Sequence, residues 1–389
     1  VSPSTTATQA VSRRIHLVGS LPLEVAPDPY AAMRWQLDHA DLALLTALPA
    51  DRDPNWIVSY LRRLNTVPGL QQVLRGEFAR YDEPIAYRAV PGQGLDARDL
   101  ALGRLAEVEE AMAARRRLAQ ECGRALPPHQ VSIPAPLDLA MFVFGVPAAA
   151  MGLLPARASL AAFRAALTHL PLFAAAVAEE IQQIHRCWGH EVAFQIESPA
   201  VCVAYDRSPR GFRPLVTRYL VRATTRLLAA IPADAALTFH IWCHGDLNNE
   251  PIADPGSLVP MVTFVNRLSS TLRAAGRAIA IPPFHAALAD GASPPPLDPG
   301  FYEPLRELDK DVPLIVGLID EQHPSRASVA LRLVERALAR PVVAVSAPCG
   351  LGRRSPARAE ANMRLAQRLA ESEFRSPRIT PLDGVAEDV

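Results

Sequence analysis

Short apolar runs, several rich in β-branched residues, recur along the chain at 16–19, 42–48, 130–134, 192–197, 237–243, 278–282, 314–319 and 342–346. Runs of this length bounded by turn residues read as buried strands. Between most of them apolar positions return about every 3.6 residues, as in 160–184, 215–231, 258–274, 325–339 and 355–370, which predicts amphipathic helices. Eight strands, each followed by a helix, predict one α/β unit closed into a (β/α)8 TIM barrel, with a doubly wound open sheet as the structural rival. The stretch 83–102, which contains EPIAYRAVPGQGLD, fits neither a core strand nor a barrel helix. It reads as an insertion after the second strand, a hairpin with a helix from about Asp96 leading back. The organisation expected is a flexible segment 1–15, a barrel 16–375 carrying the insertion 83–102, and a tail 376–389.

This pattern also orders the unusual residues. Gly19 and Ser20 end the first run, Ser132 and Pro134 the third, Glu197 the fourth, and Cys243 with His244 the fifth; His285 follows the sixth, Asp320 the seventh and Cys349 the eighth. In a barrel, the carboxyl ends of the strands form one rim around a shared mouth, where catalytic groups collect. Cys243 and Cys349, with an imidazole or a carboxylate, form a donor set for tetrahedral zinc that could hold a substrate thiol as thiolate; equally, both can be small buried hydrophobes. His240 shares a strand face with Cys243 only if the strand bulges between them, and His244 is the rival ligand if the chain is already turning. Glu197 can grip a cationic amine, act as a base or buttress the rim. Asp320 is a candidate base, or else a cap of the following turn. Arg353, beside Arg354 after Gly350 and Gly352, is a candidate contact for an anionic group.

Charge and composition narrow the field. Forty Lys plus Arg balance forty Asp plus Glu, so the broad positive field used on nucleic acid or anionic membranes is missing and neither partner is expected. The 37 prolines fall mostly between the periodic segments and punctuate them. The five cysteines, Cys122, Cys187, Cys202, Cys243 and Cys349, are odd in number and widely spaced, which points to a reducing, cytoplasmic setting. The first fifteen residues carry no signal-type apolar run, and no stretch of about 18 apolar residues is read anywhere in the chain, so no membrane span is expected. There is no GxGxxG, P-loop, HExxH or GxSxG, which leaves nucleotide, zincin and hydrolase chemistry without a motif.

Five segments together resemble a known family: HLVGSLP at 16–22, VSIPAP at 131–136, QIESPA at 195–200, HIWCHGD at 240–246 and CGLGRR at 349–354. In the same order, these are similar to landmarks of the catalytic domain of cobalamin-independent methionine synthase and its short relatives in the uroporphyrinogen decarboxylase/methionine synthase-like superfamily. The resemblance implies a (β/α)8 barrel, and zinc held by His, Cys, a carboxylate and a second Cys, on which a thiol is alkylated. Carried onto this chain, His240, Cys243 and Cys349 become the metal ligands, while Gly19, Ser20, Ser132, Glu197 and Arg353 become substrate contacts. Glu197 stands where the family has the aspartate that holds the amino group of homocysteine, so its longer side chain points to a different amino acid.

The chain departs from the family pattern in two ways. His240 lies three residues before Cys243 rather than two, so a bulge, a switch to His244 or loss of the imidazole must follow. The family carboxylate ligand has no match in MVTFVNRL, where Asn266 is the nearest polar residue, leaving Asp246, Glu250 or His285 as substitutes. The amino-terminal barrel of the full-length synthases, which helps bind folate, has no counterpart, so a corrinoid protein or a small alkyl donor competes with folate as the methyl source. The leading expectation is zinc-dependent alkyl transfer to a small thiol, with a homo-oligomer left open. The alternatives are an epoxyalkane:coenzyme M transferase-like alkylation with Arg353 or Arg354 on the sulfonate, a uroporphyrinogen decarboxylase-like lyase, and a non-catalytic binding barrel that has lost its metal.

Overall fold

The computed structural model describes residues 13–78, 82–244, 251–254, 256–275, 281–290 and 292–374. The ends of the chain, including most of the expected segment 1–15 and the whole tail 376–389, lie outside the described residues, as do Asp246 and Glu250.

The strands are β1 (Arg14–His16), β2 (Leu48–Pro49), β3 (Leu70–Arg75), β4 (Ile85–Ala89), β5 (His129–Pro134), β6 (Val192–Glu197), β7 (Ala236–Trp242), β8 (Phe284–Ala287), β9 (Leu314–Gly317) and β10 (Ala344–Ser346). Eight of them form one parallel, strongly curled sheet in the order β1-β10-β9-β8-β7-β6-β5-β2, and a parallel bridge from Ile15 to Leu45 links β1 to the residues leading into β2. This is the expected (β/α)8 architecture. Its strands are buried along nearly their whole length, as in β5 and β9, because helices cover the outside and side chains fill the inside.

Two strands were misplaced by their apolar pattern. Most of 42–48 is turn, and only Leu48 and Pro49 enter the ladder beyond the Leu45 bridge. The sixth strand is Phe284–Ala287; of the expected 278–282, residues 278–280 lie outside the described residues and Ile281 and Pro282 are not in a strand. Pro282 and Pro283 have no N–H to give to a neighbour, so pairing begins only after them, with Phe284 opposite Phe239 and Leu314. His285 therefore lies inside this strand, not after it.

The insertion is an antiparallel hairpin of β3 and β4. Residues 83–102 hold only its second strand and the single turn Arg98–Leu100, and the helix leading back runs over Arg104–Cys122. Helix Ala156–Trp188 is the longest. By length and composition its span Ala156–Glu191 could cross a membrane, and only 28% of its most apolar window is buried. Arg164, Thr168 and His169 interrupt the apolar run, and Phe173, Val177, Ile181 and Ile184 pack the second half against the barrel as core.

Candidate functional site at the barrel mouth

The carboxyl ends of the strands open into a cavity of about 790 Å³, large for a small-molecule site. Gly19, Ser20, Ser132, Glu197, His240, Cys243, Cys349 and Arg353 all line it. Asp320 does not. Its carboxylate accepts from the backbone N–H of Gln322 at 2.9 Å and faces the His323 ring at 2.9 Å, which makes it a cap of the turn into helix Pro324–Leu338.

Glu197 is the centre of the polar end. It is 5% exposed, and its carboxylate accepts from Gln195 Nε2 at 2.7 Å and from the indole N–H of Trp56. Gln195 points the same way because alternate strand residues share a face; it donates to the Val18 carbonyl and accepts from His16 Nε2 at 2.8 Å. Burial pushes the Glu197 carboxyl up to about 7, the nearby Asp51 carboxylate adds to the rise, and the two hydrogen bonds and Arg104 oppose it. Burial raises Asp51 too; Ser132 Oγ donates to it at 2.6 Å.

Gly19 has a structural reason to be glycine. A Cβ there would sit 2.6 Å from Asp51 Oδ2, so any side chain would displace the carboxylate. Ser20 nests in the loop after β10 in the same manner. Leu351 N–H donates to its carbonyl at 2.8 Å, and a Cβ on Gly352 would lie 2.5 Å from its Oγ.

Sequence reading missed Asp51, Trp56, Arg104 and Asp138. Asp51 was accessible by the rule that found the others, since it follows β2 at the rim. Trp56 gives no such signal: it is held at φ 63°, a left-handed conformation that a bulky residue adopts at a cost of roughly 1–2 kcal/mol, and this turns its indole onto Glu197. Arg104 arrives from the helix after the hairpin; it pairs with Glu107 at 2.6 Å, and its Nε–H is buried without a hydrogen-bond partner among the described residues. Asp138, raised to about 7 by burial, bonds Ser198 Oγ and the Ala200 N–H and so fixes the turn after Glu197.

The histidines form a second group. Pairing of β7 with β8 slips by one residue between His240 and Trp242, the place where a bulge was expected, and His240 and Cys243 both reach the cavity. His240 Nδ1 lies 2.6 Å from His285 Nδ1, and His285 Nε2 lies 3.1 Å from the Ala347 carbonyl. A carbonyl only accepts, so His285 carries its proton on Nε2, its Nδ1 accepts, and His240 donates from Nδ1. His240 Nε2 is left with a bare lone pair. Burial, with His16 nearby, lowers His240 to about 3, and burial, with His240 and His16 nearby, takes His285 well below its ordinary value; both rings are neutral at pH 7. His244 has Nδ1 3.0 Å from the Ala253 carbonyl and Nε2 3.4 Å from that of Ala287, so both of its nitrogens face backbone.

These donors do not compose a metal centre as they stand. Among the described residues no three His, Cys, Asp or Glu side chains lie close enough to hold an ion. Arg353 Nη2 is 3.3 Å from Cys349 Sγ, and Nη1 donates to the Pro54 carbonyl at 2.6 Å. Arg354 is turned away to Glu321, 3.3 Å distant. Asn266 joins its helix to Glu307 and Asp309, so no carboxylate stands where the family ligand was sought.

No family model and no curated protein matches the chain. Solved structures do. A B12-independent methionine synthase from Shewanella sp. W3-18-1, in complex with selenomethionine, superposes with a TM-score of 0.54 at 12% identity, covering 92% of this chain and 97% of that one. A methyltransferase from Methanosarcina mazei gives 0.53 at 12% identity, with 94% of each chain covered. At this identity the likeness is one of fold: the chain shares a (β/α)8 architecture with those two structures.

Proposed function

We propose that the protein transfers a methyl or other alkyl group to a substrate thiol at the barrel mouth, with Glu197 as the base. The observation that carries this reading is the Glu197 carboxyl itself, buried at the end of β6 and held at about 7, on a barrel similar to those of a methionine synthase and a methyltransferase. A free thiol ionises near 8.5. A base near 7 takes its proton at neutral pH with little uphill cost, and is itself still half ionised. In the step, the thiol S–H proton moves to a Glu197 carboxylate oxygen. The sulfur lone pair attacks the alkyl carbon, the C–S bond forms, and the bond from that carbon to its carrier breaks with its electron pair leaving on the carrier. Trp56 and Gln195 hold the carboxylate in place, and Ser132 does the same for Asp51. Arg104, which lines the same cavity, offers its guanidinium charge to an anionic group on the substrate or departing carrier.

A zinc-assisted form of the same transfer is favoured by one observation: the His285 relay leaves His240 with its Nε2 lone pair on the ring that lines the cavity with Cys243 and Cys349. Among the described residues the three donors are not gathered around one point.

The test is thioether formation, followed by mass spectrometry, from homocysteine and coenzyme M with methyltetrahydrofolate, a methylcorrinoid and a simple epoxide as donors, together with zinc content after chelator-free purification. Turnover with E197Q reduced about 10²–10⁴-fold, and a wild-type rate rising with pH to a plateau above about 7, is the result expected. Full turnover by E197Q would end the base assignment. Zinc near one equivalent, lost from H240A and kept in H244A, would favour the zinc-assisted form.

A further inference from the structure

The polar groups occupy one end of the cavity only. Beyond Trp56 the wall becomes aromatic, with Phe142 edge-on to the indole at a centroid distance of 5.4 Å and Phe78 tilted against Phe142 at 5.8 Å. The rest is an apolar arm between two helices. Phe163 and Leu167, one turn apart, face in from helix Ala156–Trp188; Leu215, Val216, Tyr219 and Leu220 face in from helix Arg213–Ala230. Such stripes on neighbouring helices normally close on each other. Here they flank open space instead, and Phe163, Leu215 and Tyr219 remain 46%, 62% and 40% exposed. Arg207, the cation on this side, is occupied by the Ile252 carbonyl at 3.0 Å and by Asp206 at 3.4 Å.

We propose that the bound substrate is an amphiphile, with a compact polar head at Glu197 and Arg104 joined to an aliphatic or aromatic body that fills this arm. The proposal rests on reading the mouth as the reaction site. Three facts join to support it. The cavity has room for a drug-sized molecule; apolar side chains left exposed around a cavity, rather than scattered, mark a binding surface; and the same cavity runs from the arm to a head region lined by Asp51, Arg104 and Glu197. An apolar body in the arm would gain the burial that the two helices forgo.

The test uses calorimetric titration of N-butanoylcysteamine, N-octanoylcysteamine and N-octanoylethanolamine. The octanoyl thiol should bind roughly 100-fold more tightly than the butanoyl thiol, as expected for about four extra buried methylenes. The ethanolamine, which lacks the thiol, should keep most of that gain. If it does while no thioether is ever made, the apolar body stands and the thiol chemistry falls. L167W, which narrows the arm, and L215E, at an exposed position where the fold has little to lose, should each remove the chain-length gain while keeping the wild-type circular dichroism spectrum. Equal affinity for the two chain lengths overturns the proposal. A gain that survives both variants overturns it too, since the chain then binds elsewhere. So does a dimer split by L215E, which assigns the face to a second copy, or binding to phosphatidylcholine vesicles abolished by L215E, which assigns it to a lipid surface.

Discussion

Two buried charge clusters, one at each end of the barrel, are met in opposite ways. At the amino-terminal end Arg13 and Glu335, 1% and 5% exposed in their side chains, meet through two guanidinium nitrogens and both carboxylate oxygens at 2.5 and 2.6 Å. Arg13 also donates to the carbonyls of Leu369 and Ser372, and Glu335 accepts from the Val342 N–H. That network ties β1 to the last two helices and is closed on itself. At the carboxyl end Glu197 and Asp51 stand near each other with raised pKa values, Trp56 is strained, and Arg104 keeps an N–H without a partner among the described residues. The contrast lies within one fold: the Arg13–Glu335 pair meets its charge in full, whereas Glu197 and Asp51 are buried beside each other with raised pKa values where the cavity opens.

The largest effect should come from breaking the saturated end. Glu335→Ala strands the Arg13 guanidinium in the core and should lower unfolding free energy by about 3–5 kcal/mol, read by urea denaturation; replacing Arg13 and Glu335 together with Met and Leu should recover most of it. A loss below about 1 kcal/mol would show that this end is no more committed than the mouth.

At the mouth the sign should reverse. A carboxyl whose folded pKa is raised contributes most below its unfolded value, near 4.5, and loses that contribution as pH rises through about 7. E197Q removes the charge, so it should match the wild type near pH 4.5 and exceed it at pH 8 by about 3 kcal/mol. Equal stability of the two proteins at pH 8, measured by thermal or urea unfolding, would mean that the buried carboxylate is already compensated. The smallest effect tests the close fit of the rim. Gly352→Ala should cost about 1–2 kcal/mol by pushing Ser20 aside, and adding Ser20→Gly should restore most of it; failure of that rescue would locate the strain in the loop rather than in the contact.

Eight apolar runs were enough to read the barrel, because strands enclosed by helices must be apolar on both faces and a lone chain displays that composition directly. The rim residues followed, since whatever comes after such a strand lies at the mouth: Glu197, Cys243 and Cys349 line one cavity from strands 46 or more residues apart. The bulge in β7 was legible as well, from the three-residue offset between His240 and Cys243.

Where pairing depends on a neighbour's N–H, the pattern misled. The prolines at 282 and 283 delayed the sixth strand and drew His285 inside the barrel, where it orients His240 instead of facing the cavity. Asp320 shares its place after a strand with Glu197 and differs only in direction, and direction is set by the turn it caps. Trp56, Arg104 and the apolar arm belong to segments far apart in sequence, without a period to connect them. Local composition thus determined which residues are enclosed and in what order the strands run, because burial is written residue by residue. The charge state of Glu197 and the shape of the space beside it were decided only by the tertiary structure, because both depend on which distant side chains stand within a few ångströms.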